Sequence, residues 1–242
     1  MVQKKKNTQK GKGKMQSRAV GEYANAGGKA VVYRKSQPVV RNTQTGVVVC
    51  NTEQFAGASI ELPVGFSKSV GAMNPCDANF PWLRGIARSY AKYRWKKLIL
   101  SWVPFVSTTT SGYVSAASVY DSEDAITALN AVGGVPASSQ PEYTIGPLYS
   151  GNAIRSHEGD VSSANWTGIE FDTKRIHDTQ KWFYTDATLT FTANAGNEAR
   201  LNQCIGAYVV LQYFSNVAQT GGSWYVSYEI ELIQPVSTLI NP

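Results

Sequence analysis

The chain has 242 residues, three cysteines, two histidines and 11% aromatic residues, a composition that excludes a collagen, a coiled coil and a disulfide miniprotein. At this length one domain buries roughly 70% of the surface its unfolded chain exposes, so a core needs no metal or disulfide staple. The formal net charge of +6 is unevenly split: residues 1–41 carry 11 Lys/Arg against Glu22 alone, giving +10, while residues 42–242 carry 12 against 16 acids, giving −4.

The basic segment comes first. Residues 1–28 hold Lys4, Lys5, Lys6, Lys10, Lys12, Lys14 and Arg18 among Gln, Asn, Gly and Ser, with too little apolar surface to offset the entropy of ordering, so the segment is expected to be disordered on its own. No apolar run follows the early lysines, so a signal peptide is not expected. Flexible cations of this kind neutralise phosphates with little regard for sequence, which points to nucleic acid; a solubilising or nuclear-targeting tail is the plainer alternative. Gly11-Lys-Gly-Lys14 lacks the spacing and flanking elements of a phosphate loop. From Lys29 to Asn42 the chain turns semi-apolar, and Pro38 excludes a helix or a central strand. This stretch reads as an arm that pairs outside its own domain.

Beyond residue 42 the dominant period is two. Strands are expected at 46–50, 59–66, 97–105, 113–120, 142–147, 169–174 and 188–193, and most clearly over Ala207–Phe214 and Trp224–Ile233. That pattern specifies an all-β domain: a sandwich, a jelly roll or a barrel. Two helices interrupt it. After Pro81, the residues Trp82, Leu83, Ile86, Ala87 and Tyr90 form an apolar stripe, with Arg84, Arg88 and Lys92 four apart on another face. The second helix is expected from Ser122 to Val132, ended by Gly133-Gly134. Arg84, Arg88, Lys92, Arg94, Lys96 and Lys97 form a second basic cluster with no acid nearby in the sequence, aimed at a polyanionic partner or simply solvated.

Asp121-Ser-Glu-Asp124 follows a strand and opens a helix. Carboxylates so spaced can converge on a hard cation such as calcium, and can equally cap the helix and face its positive end. Cys50, Cys76 and Cys204 have no Cys-x-x-Cys spacing and no neighbouring His, so buried free thiols in a reducing cytoplasm are expected. His157 and His177 lie in polar surroundings without a nucleophile elbow. No catalytic constellation, enzyme activity or small-molecule substrate is expected, and no apolar run is long enough to span a bilayer.

The stretch Phe80-Pro-Trp-Leu-Arg-Gly-Ile-Ala-Arg-Ser-Tyr-Ala-Lys-Tyr-Arg-Trp-Lys-Lys-Leu98, followed by Ser111-Gly-Tyr-Val-Ser-Ala-Ala-Ser-Val-Tyr-Asp-Ser-Glu-Asp124, closely resembles the shell domain of small icosahedral plant-virus coat proteins of the tombusvirus and sobemovirus type. The resemblance covers residues 42–236 in organisation, and a basic arm ahead of it is also typical. It implies an eight-stranded jelly roll with two or three short helices, many copies of which close into a T=3 shell around single-stranded genomic RNA. Residues 1–28 would be the RNA-binding segment, 29–45 a connecting arm ordered in some subunits only, and 46–242 the shell domain. With Leu239-Ile-Asn-Pro242 so soon after the last strand, no protruding domain is expected; the shell-only coats of panicoviruses, machlomoviruses, necroviruses and sobemoviruses are the implied kin, panicoviruses first. The resemblance further implies calcium between subunits at Asp121 and Asp124, with Asn241 contributing, and places the protein in the virion and, during assembly, in the host cytoplasm. A cellular, non-specific RNA-binding protein with a basic tail on a β-sandwich is the alternative.

Overall fold

Alternating apolar and polar side chains build two sheets, each burying one face against the other. The computed structural model describes residues 37–57, 60–62, 64–105, 112–121, 154–155, 169–186 and 198–236. In chain order the elements are β1 (Val39–Asn42), β2 (Gly46–Gln54), a single 3-10 turn (Phe55–Gly57), β3 (Ile60–Leu62), β4 (Gly65–Ala72), α1 (Leu83–Ala87), β5 (Tyr90–Pro104), β6 (Gly112–Val119), β7 (Ile154–Arg155), β8 (Ile169–Glu170), α2 (Thr173–Ile176), β9 (Phe183–Tyr184), α3 (Glu198–Cys204), β10 (Tyr208–Ser215) and β11 (Gln219–Pro235).

One sheet runs β1-β2-β11-β5-β8, with β3 on β11 and β9 on β5; the other runs β4-β10-β6-β7. Two sets of four, β2-β11-β5-β8 and β4-β10-β6-β7, with the chain crossing between them, make the eight-stranded jelly roll. The short strands β1, β3 and β9 are additions to one sheet. Among the described residues no helix is long and apolar enough to cross a membrane.

The core is aromatic. Trp95, Trp102 and Trp224 are buried between the sheets with Tyr93, Phe80 and Phe171, and the Trp102 and Trp224 ring centroids lie 5.1 Å apart. A buried ring of this size removes ~200 Å² from water, worth ~5 kcal/mol before the entropy of ordering is subtracted. Three of the polar handles are matched across the core: Trp224 Nε1 donates to Tyr213 Oη at 2.8 Å, tying the two sheets together. Trp95 Nε1 donates to the Met73 carbonyl at 3.0 Å, and Tyr93 Oη to that of Cys204 at 2.7 Å. On the far side of the four-stranded sheet, Leu201 and Cys204 of α3 pack with Tyr208, Val210, Ala117 and Val119.

Several elements differ from the sequence reading. The helix expected to run on to Lys92 stops at Ala87, and β5 already begins at Tyr90, well ahead of the expected residue 97. Its inward residues explain why: Tyr93 and Trp95 alternate in step, Leu98, Leu100 and Trp102 alternate in the opposite step, and a bulge opposite Glu229 and Ile230 absorbs the change. The stretch 59–66 is two strands, β3 and β4, rather than one. The stretch 169–174 is a strand only at Ile169–Glu170, because Asp172 Oδ1 accepts from the Lys174 and Arg175 amides and starts α2 instead. Val39–Asn42, expected to pair outside the domain, lies antiparallel to β2 as an edge strand of the same sheet, with all four residues exposed. Cys76 and Cys204 are buried free thiols, whereas Cys50 is half-buried. The expected strands at 142–147 and 188–193, the helix at 122–132, residues 1–28 and His157 lie outside the described residues.

Candidate nucleic-acid interface

The outward face of the larger sheet is assembled by register. Arg41, Val48, Glu231 and Arg94 form one row across β1, β2, β11 and β5, and Val39, Cys50, Glu229 and Lys97 form the next. Beside them Lys92 pairs with Ile233 on one side and with Tyr184 of β9 on the other. The bulge in β5 is what lets consecutive Lys96 and Lys97 both reach solvent while Trp95 and Leu98 stay in the core.

This face is not purely basic. Glu231, 137 residues from Arg94 in sequence, accepts from Arg94 Nη2 at 2.7 Å and lies 3.3 Å from Lys96 Nζ, which corrects the expectation of a cluster without a nearby acid. Burial pulls the Glu231 carboxyl upward, but the hydrogen bonds and charges of Arg94 and Lys96 outweigh it and hold the group below the ordinary glutamate range. Lys92 Nζ lies 5.0 Å from the Tyr184 ring centroid, and the Arg94 guanidinium 4.9 Å from that of Trp182. Neither aromatic figured among the sequence candidates, since a two-residue strand has no readable period.

Arg84 and Arg88 lie apart from the strand lysines in secondary structure. Both are half-buried at α1, where their charges act on Cys76, whose thiol burial nonetheless pushes up to about 12. Cys204 is likewise pushed up to about 11, by burial foremost. Thiols so raised stay protonated and unreactive at neutral pH.

His177 closes a gap in the sheet edge. Between β8 and β9 the β5 edge has no strand partner at Trp95, and His177 Nε2 lies 3.1 Å from that carbonyl while Nδ1 lies 3.2 Å from the Gln180 carbonyl. Burial lowers the imidazole's proton affinity first, and Arg94 adds to this, against the pull of the two carbonyls.

Of the expected calcium ligands, Asp121 is an exposed residue just past the end of β6, and its charge adds to burial in raising the Tyr208 phenol. Asp124 and Asn241 lie outside the described residues, as do Lys4, Lys5, Lys6, Lys10, Lys12, Lys14 and Arg18. Among the described residues no three His, Cys, Asp or Glu side chains gather into a metal-binding group.

The sequence pattern of the viral coat protein S domain matches residues 23–238. The chain belongs to this family of viral coat proteins. The coat protein is 28% identical over 218 residues to the capsid protein of Tobacco necrosis virus (strain D), covering 88% of this chain and 77% of that one. It is 27% identical to the strain A protein over 216 residues, covering 87% of this chain and 74% of that one. Among solved structures, one of tobacco necrosis virus superposes with a TM-score of 0.64 at 21% identity, covering 86% of this chain and 91% of that chain. Cucumber necrosis virus gives 0.64 at 17% identity over 86% of this chain and 57% of that one. At these identities the structural likeness bears on fold alone, and it is the jelly roll described above. Membership in a coat family displaces the cellular RNA-binding alternative and makes the chain a structural component of a viral coat.

Proposed function

We propose that many copies of this coat protein close into a T=3 icosahedral shell around single-stranded genomic RNA, with residues 1–28 holding the RNA. The observation that carries this reading is the separation of charge: a coat-family jelly roll whose chain is −4 beyond residue 41 is preceded by a segment of +10. The net charge of the acidic body does not favour RNA, whereas the leading lysines neutralise phosphates and release counterions. Assembly would take place in the host cytoplasm, and residues 29–45 would adjust contacts between neighbours.

Calcium between subunits belongs to the same proposal. The candidate donors are all oxygen, as a hard cation requires, and the exposed Asp121 carboxylate at the end of β6 fits that demand. Asp121, Asp124 and Asn241 would hold the ion, which would bridge and neutralise carboxylates brought together by neighbouring copies.

Electron microscopy of the full-length protein mixed with single-stranded RNA, beside protein lacking residues 1–28, tests the packaging reading. Closed RNA-filled shells from the full chain, and empty or smaller ones without the segment, are expected. RNA-filled shells of unchanged size and content from the shortened protein would remove the role of that segment.

A further inference from the structure

We propose that Trp182 and Tyr184, with Arg94 and Lys92 beside them, form a base-stacking platform for single-stranded RNA on the folded domain. This rests on the packaging reading and adds to it a contact made by rings rather than by the leading lysines.

Alternation around β9 sets the geometry. Phe183 and Thr185 turn inward, 3% and 8% exposed, so Trp182 and Tyr184 turn outward, and Tyr184 keeps 46% of its surface in water. An aromatic ring held in solvent by a rigid strand is area a partner can cover. Positions two apart in extended chain leave it on the same side, so the two rings are presented together, each with a π-face on which a base can stack. Lys92 Nζ lies over the Tyr184 ring, 5.0 Å from its centroid, and the Arg94 guanidinium over the Trp182 ring at 4.9 Å, so a strand that stacks on either ring meets a cation beside it.

Charge selects the partner. On this face the register gathers Arg41, Lys92, Arg94 and Lys97 with Lys96, against Glu170, Glu229 and Glu231. The excess is positive although the body as a whole is acidic. Rings interleaved with cations suit an unpaired strand, whose bases can leave the stack, better than a duplex, whose bases cannot reach them. A neighbouring copy would have to meet this face with acids, and that possibility is one outcome of the test.

The test is a salt series of binding by full-length protein to a single-stranded oligouridine and to an RNA duplex of equal charge. For W182A/Y184A the affinity for the single strand should fall by about tenfold or more, with the slope of log affinity against log salt unchanged. W182F/Y184F should restore most of the loss, which separates stacking from damage to the fold. K92Q/R94Q should instead flatten the slope by roughly one to two units. Equal losses on single strand and duplex, or no loss from the alanine pair, would overturn the platform while leaving packaging by residues 1–28 intact. Failure of the unaltered protein to bind any RNA would overturn both. A W182A/Y184A protein that binds RNA normally but no longer forms shells would overturn the platform and assign the face to a second copy.

Discussion

Tyr228 donates its phenol proton to Glu53 Oε1 at 2.7 Å, and the same carboxylate accepts the Trp82 amide at 2.6 Å and the Leu83 amide at 3.2 Å. One buried acid on β2 therefore fastens β11 and starts α1, whose own N-cap residue, Trp82, provides no side-chain cap.

Replacing Glu53 by Ala removes the acceptor shared by the Trp82 and Leu83 amides and the Tyr228 phenol, and the expected loss is about 3 kcal/mol of unfolding free energy. Burial raises the Glu53 carboxyl above the ordinary range, outweighing its three hydrogen bonds. The folded state thus favours the protonated acid. Its contribution is greatest below the unfolded chain's value and declines as pH rises through the folded value. E53Q, which keeps an acceptor oxygen, should lose less than E53A and should flatten that pH dependence. Urea melts across the acid range check both, and equal stabilities of E53A and the parent protein would refute the role.

His177 gives the opposite sign. Its proton affinity is lowered in the fold, so its contribution is complete above the unfolded imidazole's value and is lost as pH falls below it. Against this, a neutral ring can donate to only one of the Trp95 and Gln180 carbonyls, so the pair favours the charged form without overcoming burial. The drop in thermal stability from neutral to mildly acid pH should be larger for the parent than for H177Q. Parallel pH profiles for the two proteins would rule this out.

Gly206 holds β9 in place by having no side chain. A Cβ there would come within 2.6 Å of the Phe183 ring and 2.7 Å of the Ile176 side chain. G206A should cost roughly 1–3 kcal/mol through overpacking, and hydrogen exchange should rise in 182–185 before it rises in β10. Uniform exchange along both segments would mean that the glycine does not anchor β9.

The calcium proposal predicts that a chelator at alkaline pH leaves neighbouring carboxylates repelling one another and swells assembled particles. D121N should swell less under the same treatment, because it carries one charge fewer. Sedimentation reads the change, and identical velocities with and without chelator for the parent would dismiss the ion.

The long strands were legible in the sequence because their alternation is written in large residues: Trp224, Val226, Tyr228, Ile230 and Leu232 all point inward in β11. The start of β5 was not, because Trp82 to Tyr90 also satisfies a helical stripe and the bulge interrupts the strand's period at Lys96 and Lys97. Asp172 was readable as a cap, yet the strand pattern on either side of it masked the signal. For the interface, the basic residues of β5 were visible, whereas Glu231 and the rings of Trp182 and Tyr184 reach them only through pairings with β11 and β9. Such partners are set by topology, and neither spacing nor composition encodes them locally.

The antiparallel union of β2 with β11 also bears on how the chain is born. Glu53 and Tyr228 are 175 residues apart, and at ~5–20 residues per second a ribosome takes roughly 10–30 s to translate that interval. Throughout it β2 has emerged without its partner and α1 without the phenol that completes its anchor. The larger sheet therefore stays open until β11 has been translated, so no copy can present that sheet to a neighbour before then.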